Sequence, residues 1–236
     1  MESQSSLEHQ AGRRSFILNG VKLAVVTSLG GIGILSGCKG DDDKEVSPPE
    51  DLMQEHGLLN RILLIYDTCR SHLINNERFP TEALFTASGI IRTFVEDYHE
   101  KQEENYLFPR FRKANQLTEL VDVLLQQHKA GRVLTDQITS MTRGGVVTDT
   151  DKVKLVKALT DFNYMYRPHE AREDTILFPA FRKIVSEHEY DSLGEEFERN
   201  EHKLFGKDGF ETMVDKVATI EKSLGIYELA QFTPNV

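Results

Sequence analysis

From Pro48 onward, apolar residues recur at the three-and-four spacing of helices that bury one face. In the first such segment, about residues 50–75, they form one stripe at Leu52, Leu59, Ile62, Tyr66 and Cys69. Further helices are predicted at about 82–106, 118–142 and 149–175, and shorter ones at about 178–186, 189–204 and 208–224. The pattern therefore predicts an all-α fold, an up-down-up-down four-helix bundle with extra short C-terminal helices.

Two parts of this helical region repeat each other. Residues 99–113, HEKQEENYLFPRFRK, match residues 169–183, HEAREDTILFPAFRK, position by position. A weaker match, between Gln-Glu-His56 and Gln-Gln-His128, lies upstream at nearly the same spacing. The bundle is therefore predicted to be two copies of a helical hairpin, each with one His on its first helix and His-x-x-x-Glu on its second.

The repeated residues have the chemistry of a metal site. In His-x-x-x-Glu, the two side chains lie one turn apart on the same helix face, so both can reach one ion. Two such pairs facing inward, with one further His from each remaining helix, give six predicted ligands, which are His56, His99, Glu103, His128, His169 and Glu173. Each ion can take two imidazoles, with both carboxylates bridging. Such mixed ligands suit iron and manganese, and zinc is possible.

The N-terminal part carries targeting signals. Arg13 and Arg14 precede a short apolar run that leads into Leu-Ser-Gly-Cys38. A helix of this length reaches only about 20 Å, against the roughly 30 Å core of a bilayer, so the run predicts a signal peptide and not a membrane span. The arginine pair resembles a twin-arginine export signal, and Cys38 the acylated cysteine of a lipobox.

These features predict four regions. Residues 1–38 are the twin-arginine and lipoprotein signal, and the polar residues 39–49 form a flexible linker. Residues 50–186 form the four-helix bundle and 187–236 a C-terminal helical extension. The protein is then exported and lipid-anchored to a bacterial membrane, on its periplasmic or outer face.

The composition narrows the class of partner. The net charge is −10, and no basic stripe is present that would neutralise phosphates, so a nucleic-acid partner is not expected. Of the two cysteines, Cys38 is predicted to carry lipid, which leaves no internal disulfide to stabilise the fold.

Over about residues 50–185, the chain resembles the hemerythrin-like (HHE cation-binding) family. The resemblance lies in the order of the ligands, which is His56, His99/Glu103, His128, His169/Glu173, and in the Leu-Phe-Pro that follows each second-helix pair. The ligand pattern is most similar to the iron-centre repair branch, which implies a di-iron site with four His and two bridging Glu. Oxygen-carrying hemerythrins have a further His one turn along the third helix, where this chain has Arg132.

The resemblance implies a non-haem di-iron protein that binds or senses O2, NO or peroxide, with two Fe ions or an Fe/Mn pair. A di-iron oxidase, an NO or peroxide reductase that uses a redox partner, and an iron store or donor are the alternatives. No catalytic acid–base residue is evident beyond the ligands, so the sequence leaves the choice between binding protein and enzyme open.

Overall fold

A computed structural model describes residues 46–234, and every regular element in that range is helical. The first helix, α1, spans Pro48–Asn75. The second, α2, covers residues 81–114 as one continuous rod. Its consecutive segments are α-helical Thr81–Ile90, π-helical Ile91–His99, α-helical Glu100–Gln102, π-helical Glu103–Leu107 and α-helical Phe108–Ala114.

The second half of the bundle repeats this arrangement. Helix α3 spans Thr118–Thr142, and helix α4 covers residues 149–184. The segments of α4 are α-helical Asp149–Arg172, π-helical Glu173–Leu177 and α-helical Phe178–Ile184. Two shorter helices follow, α5 at Glu187–Phe205 and α6 at Gly209–Ser223, and then a 3-10 turn at Leu229–Phe232. Arg13, Arg14 and Cys38 lie outside the described residues.

Local sequence explains where the helices begin. Ahead of α1, the backbone N–H of Ser47 donates to the Glu50 carboxylate at 3.0 Å, and two prolines occupy the first turn, where no N–H is needed. Helix α4 is capped by Thr148, whose hydroxyl accepts from the N–H of Asp151 at 3.1 Å. Each cap satisfies a backbone donor that the helix itself leaves free.

Helices α2 and α4 are longer than the sequence pattern predicts. The apolar pattern predicts that these helices end near residues 106 and 175, but both continue past the Leu-Phe-Pro segments. A proline ring collides with the carbonyl four residues earlier in a regular α-helix. A wider π turn precedes Pro109 and Pro179 in each helix, so the rod accommodates the proline instead of ending.

The four long helices form a closed ring, which confirms the predicted all-α helical bundle. Helix α3 packs against α2 and α4, and α4 also packs against α1. Helix α6 packs on α1 and α2, and α5 packs on α1. Within residues 46–234, none of the helices combines the length and the apolar character that crossing a membrane requires.

The core is divided into two hydrophobic clusters. The larger, which includes Ile62, Tyr66, Phe94 and Phe162, fills the bundle on one side of a buried polar layer. The smaller contains the phenylalanines of both Leu-Phe-Pro repeats and is covered by α5 through Leu193 and Phe197 (the phenylalanines are Phe108, Phe111, Phe178 and Phe181). The polar layer between the clusters contains the six predicted ligands.

Candidate metal centre

Each long helix brings part of the predicted ligand set into the bundle. His56 lies on α1, His99 and Glu103 on α2, His128 on α3, and His169 and Glu173 on α4. All six side chains are buried, and the two glutamates are fully inaccessible to solvent. The structure therefore brings together every residue that the repeat singled out.

The imidazoles form two pairs, one from each hairpin. His56 and His99 form the first half-site, with their Nε2 atoms 3.1 Å apart. His128 and His169 form the second half-site, with ring centroids 5.0 Å apart. Because each pair comes from two helices joined by a short loop, each hairpin supplies the nitrogen donors for one ion.

The two carboxylates each reach both half-sites. Glu173 Oε2 lies 3.4 Å from His56 Nε2 and 3.1 Å from His169 Nε2. Glu103 Oε2 lies 3.4 Å from His128 Nε2 and 4.0 Å from His99 Nε2. A carboxylate placed between two pairs of nitrogen donors has the position of a bridging ligand.

Each imidazole is oriented by an acceptor on its other nitrogen. His56 Nδ1 lies 2.8 Å from Asp174 Oδ1, and His99 Nδ1 lies 2.7 Å from Glu55 Oε2. In the second half-site, the Nδ1 atoms of His128 and His169 have other partners (Glu104 Oε1 at 3.1 Å and Gln127 Oε1 at 2.9 Å). Carboxylate and amide oxygens accept only, so they fix a proton on each Nδ1 and leave Nε2 as the nitrogen that faces the metal position.

Sequence reasoning missed these four acceptors, although the repeat contains a signal for them. Glu104 and Asp174 directly follow the matched glutamates, and Glu55 and Gln127 directly precede the matched histidines. A one-residue step turns a side chain about 100° around its own helix, so these residues do not face the same way as the ligands beside them. Each of them instead meets the histidine of an adjacent helix.

Burial and charge set the protonation of the centre. Burial lowers the pKa of His128 to about 4 and also lowers the pKa of His99, so both imidazoles are neutral at pH 7. Burial, and then the charge of Glu173, raises the pKa of Glu103. Although burial opposes it, His169 and His56 hold the pKa of Glu173 low. Burial would also lower the pKa of His56, yet Asp174 and Glu173 raise it to about 10.

The donor set fits a metal ion. Within residues 46–234, the carboxylate oxygens of Glu103 and Glu173 have no hydrogen-bond partner. The Nε2 atom of His128 also has none. Buried polar atoms without partners are costly, and a cation among them would satisfy all of them at once. Nitrogen and carboxylate donors in this proportion suit iron among the biological metals.

A buried polar network lies beside the second half-site. Glu100 accepts from the Tyr166 hydroxyl at 2.7 Å and from the Arg132 guanidinium at 2.5 Å. Arg132 also donates to Glu104 at 2.7 Å. Glu100, Glu104 and His128 lie close enough together to resemble a third ligand cluster, but the guanidinium already supplies their cation. Glu100 on α2 and Arg132 on α3 therefore form an interhelical salt bridge.

Two groups of neighbouring residues lie apart from the centre. The repeat matches Tyr164 with Phe94 and predicts that both are core residues, but Tyr164 is 83% exposed, so that prediction is wrong for Tyr164. Among the described residues, His72, His188 and His202 lie outside the clusters of close donors.

Comparisons with known proteins agree with this geometry. The model of the hemerythrin HHE cation-binding domain matches residues 47–181. An uncharacterized protein of Mycobacterium bovis is 43% identical over 228 residues, which cover 90% of this chain and 89% of that protein. Uncharacterized proteins of two Mycobacterium tuberculosis strains match to the same extent. No solved structure matches significantly. The family model spans more than half of the chain, and the chain therefore belongs to the hemerythrin HHE cation-binding domain family.

Proposed function

We propose that this protein is a non-haem di-iron protein that binds or senses a small oxidising ligand, namely O2, NO or peroxide. The observation that supports a pair of ions is the position of the two carboxylates. Glu103 and Glu173 each lie within 4.0 Å of an imidazole nitrogen in both half-sites. The four histidines lie in two separate pairs, and a single ion would not require carboxylates that reach both pairs.

The charges of the ligands leave room for a further small ligand. Two carboxylates neutralise only part of the charge of two divalent ions. A reduced iron pair, when bound, supplies electrons and open positions for O2, NO or peroxide. An iron–manganese pair is compatible with the same donors.

The surrounding residues exclude bulk water and restrict the size of the ligand. Phe178 stacks on His56 at 5.5 Å and Phe108 stacks on His128 at 5.6 Å between ring centroids. Both rings belong to the smaller hydrophobic cluster, beneath α5. A diatomic gas or peroxide suits such an enclosed apolar surrounding better than a large polar substrate does.

The site and its ligand are tested by metal analysis followed by rapid mixing. Protein purified without a metal-affinity tag is expected to contain two irons per chain, or one iron and one manganese. One zinc per chain, with no iron after growth in iron-rich medium, would refute the proposal. Mixing the diferrous protein with each gas or with peroxide then separates the alternatives. Reversible spectra indicate a carrier or sensor, turnover with an electron donor indicates an oxidase or reductase, and loss of metal indicates a store.

The bridging role of the carboxylates has its own test. Replacing Glu103 or Glu173 by Ala is expected to weaken or split the pair, since each half-site keeps its imidazoles but the ions lose a shared anion. The control is His188→Ala, because His188 is exposed and lies outside the donor clusters. Full two-metal content with an unchanged absorption spectrum in both Glu variants would exclude bridging.

We also propose that the protein acts outside the cytoplasm, attached to a membrane by lipid on Cys38. Support comes from the order of Arg13, Arg14, the apolar run and Cys38. The twin-arginine route carries folded cargo, so metal inserted in the cytoplasm is retained on export. Changing both arginines to Lys should leave a metal-loaded precursor inside the cell, and Cys38→Ala should block only acylation and cleavage. A Lys-Lys variant that still fractionates as mature membrane lipoprotein would contradict this route.

A further inference from the structure

The two half-sites are surrounded by residues that the internal repeat matches one to one. The match of residues 99–113 with residues 169–183 relates Glu104 to Asp174 and Glu100 to Glu170. Aligning His56 with His128 relates Glu55 to Gln127 and Asn60 to Arg132. Because the matched members occupy equivalent positions around the two half-sites, their charges can be compared pair by pair.

Two matched pairs carry the same charge on both sides and cancel. Glu104 accepts from His128, as Asp174 accepts from His56. Glu100 contacts Arg132 on the second side, and Glu170 contacts Asn60 on the first. Both of these carboxyl groups are buried. None of these four acidic residues distinguishes the half-sites by its own charge.

The other two pairs differ, and both differences have the same sign. The acceptor of His99 is the carboxylate of Glu55, whereas the acceptor of His169 is the neutral amide of Gln127. Beside Glu170 lies the neutral amide of Asn60, whereas beside Glu100 lies the cation of Arg132. Over these four matched pairs, the side chains beside the first half-site therefore carry two more units of negative charge than those beside the second.

The hydrogen bonds to the imidazoles follow the same order. In the first half-site, the Nδ1-to-acceptor distances are 2.8 Å at His56 and 2.7 Å at His99, against 3.1 Å and 2.9 Å in the second. Arg132 contributes to the difference, because it donates to Glu104 Oε1, the atom that also accepts from His128. A strong anionic acceptor on Nδ1 makes Nε2 a better metal donor, and a shared or neutral acceptor does so less.

We propose that the two ion positions are inequivalent, with the His56/His99 half-site binding the first divalent ion and the His128/His169 half-site binding the second more weakly. This inference rests on the two-metal function proposed above. The residues that set the order are Glu55 and Gln127, assisted by Asn60 and Arg132. Replacing one acceptor around a ligand histidine changes metal affinity by about 10- to 100-fold, which is enough to separate two binding steps.

The test is titration of the metal-free protein with Co²⁺ at neutral pH, followed by visible absorption and calorimetry. The wild-type chain is expected to bind two Co²⁺ in two steps whose dissociation constants differ at least about 10-fold. His56→Ala should remove the tight step, and His128→Ala should remove the weak one. Melting curves recorded by circular dichroism check that both variants remain folded.

Isosteric exchanges of the acceptors provide the decisive comparison. Glu55→Gln should weaken the tight step by about 10- to 100-fold, and Gln127→Glu should strengthen the weak step by a similar factor. The control is Gln126→Glu, which adds the same charge at an exposed neighbouring position and should change either constant by about twofold or less.

The outcomes separate this inference from the proposed function. Two Co²⁺ bound with equal constants, or acceptor exchanges that change neither step, would overturn the inequivalence and leave the two-metal function standing. Fewer than two Co²⁺ bound per wild-type chain would overturn both. A tight step that survives His56→Ala but disappears in His128→Ala would reverse the assignment and refute the argument from charge.

Discussion

Glu103→Gln is expected to change the stability of the metal-free and metal-loaded proteins in opposite directions. Glu103 is fully buried, and its nearest imidazoles, His128 and His99, have lowered pKa values and are therefore neutral. Without a metal ion, the buried carboxylate is destabilised by its loss of solvent and by the repulsion of Glu173 and then of Glu100 and Glu55. The glutamine has nearly the same shape and removes the charge.

The stability that metal-free protein can gain from Glu103→Gln has an upper limit. Because the buried carboxylate can take up a proton, keeping it charged cannot cost more than protonating it, which is about 1.4 kcal/mol for each pH unit above its ordinary pKa of about 4.5. At pH 7 this upper limit is about 3.4 kcal/mol. For a domain of this size, each kcal/mol shifts the melting temperature by about 2–4 °C, so metal-free Glu103→Gln is expected to melt up to roughly 7–14 °C higher than wild type.

The sign with pH follows from the raised pKa of Glu103. A carboxyl group whose folded pKa exceeds its unfolded pKa contributes stability that is complete at low pH and lost as the pH rises through the folded value. The advantage of Glu103→Gln should therefore shrink as the pH falls from 7 toward 4. With metal bound, the order reverses, because the variant lacks one shared ligand.

The assay is thermal unfolding of EDTA-treated protein by circular dichroism, repeated after adding back iron anaerobically. Glu173→Gln is the matched control, since His169 and His56 hold the pKa of Glu173 low and its charge is useful even without metal. That variant should lose stability in the metal-free state. A metal-free Glu103→Gln protein that melts no higher than wild type would refute the reasoning.

Three further predictions concern the rest of the fold. Chelation should lower the melting temperature of the wild-type protein, because an ion present at 1,000 times its dissociation constant stabilises the native state by about 4 kcal/mol. Calorimetry with and without chelator measures the change in melting temperature. Gly131→Ala would place a Cβ closer to the Tyr166 hydroxyl oxygen than van der Waals contact allows, and should lower the free energy of unfolding by about 1–3 kcal/mol in a denaturant titration. The control is Gly89→Ala, where the Cβ has open space and the free energy of unfolding should stay the same or rise slightly. Burial raises the pKa of Cys69 to about 12, so its thiol should stay unreactive toward a disulfide reagent at pH 8 until the protein unfolds, and rapid labelling of native protein would contradict its place in the core.

The helices and the donor set could be predicted from the sequence because both follow from periodicity. Apolar stripes located the four long helices. The duplicated His-x-x-x-Glu, with the matched His upstream of each copy, selected six side chains that lie together in the fold. The ends of α2 and α4 could not be predicted, since a proline after an apolar pair normally indicates that a helix stops. The π turns that accommodate Pro109 and Pro179 leave no simple periodic signature.

Tyr164 and Phe94 show how residues outside the repeat defeat an inference from it. The two residues are matched, and each lies five positions before its histidine. In the α-helix before His169, five positions leave Tyr164 about 140° away from the ligand face, and it is exposed. Phe94 is buried because it packs against Phe205 of α5 and Phe210 of α6, and these helices have no counterpart in the repeat.

The duplicated hairpin also determines which asymmetries this centre is able to have. Two identical hairpins paired about a twofold axis would present the same residue to both ions, so any change near one ion would be copied at the other. Here both hairpins belong to one chain, and Gln127 can differ from Glu55 without a matching change on the opposite side. A single gene carrying both halves can therefore tune each ion separately, which a symmetric pair of half-length chains cannot do.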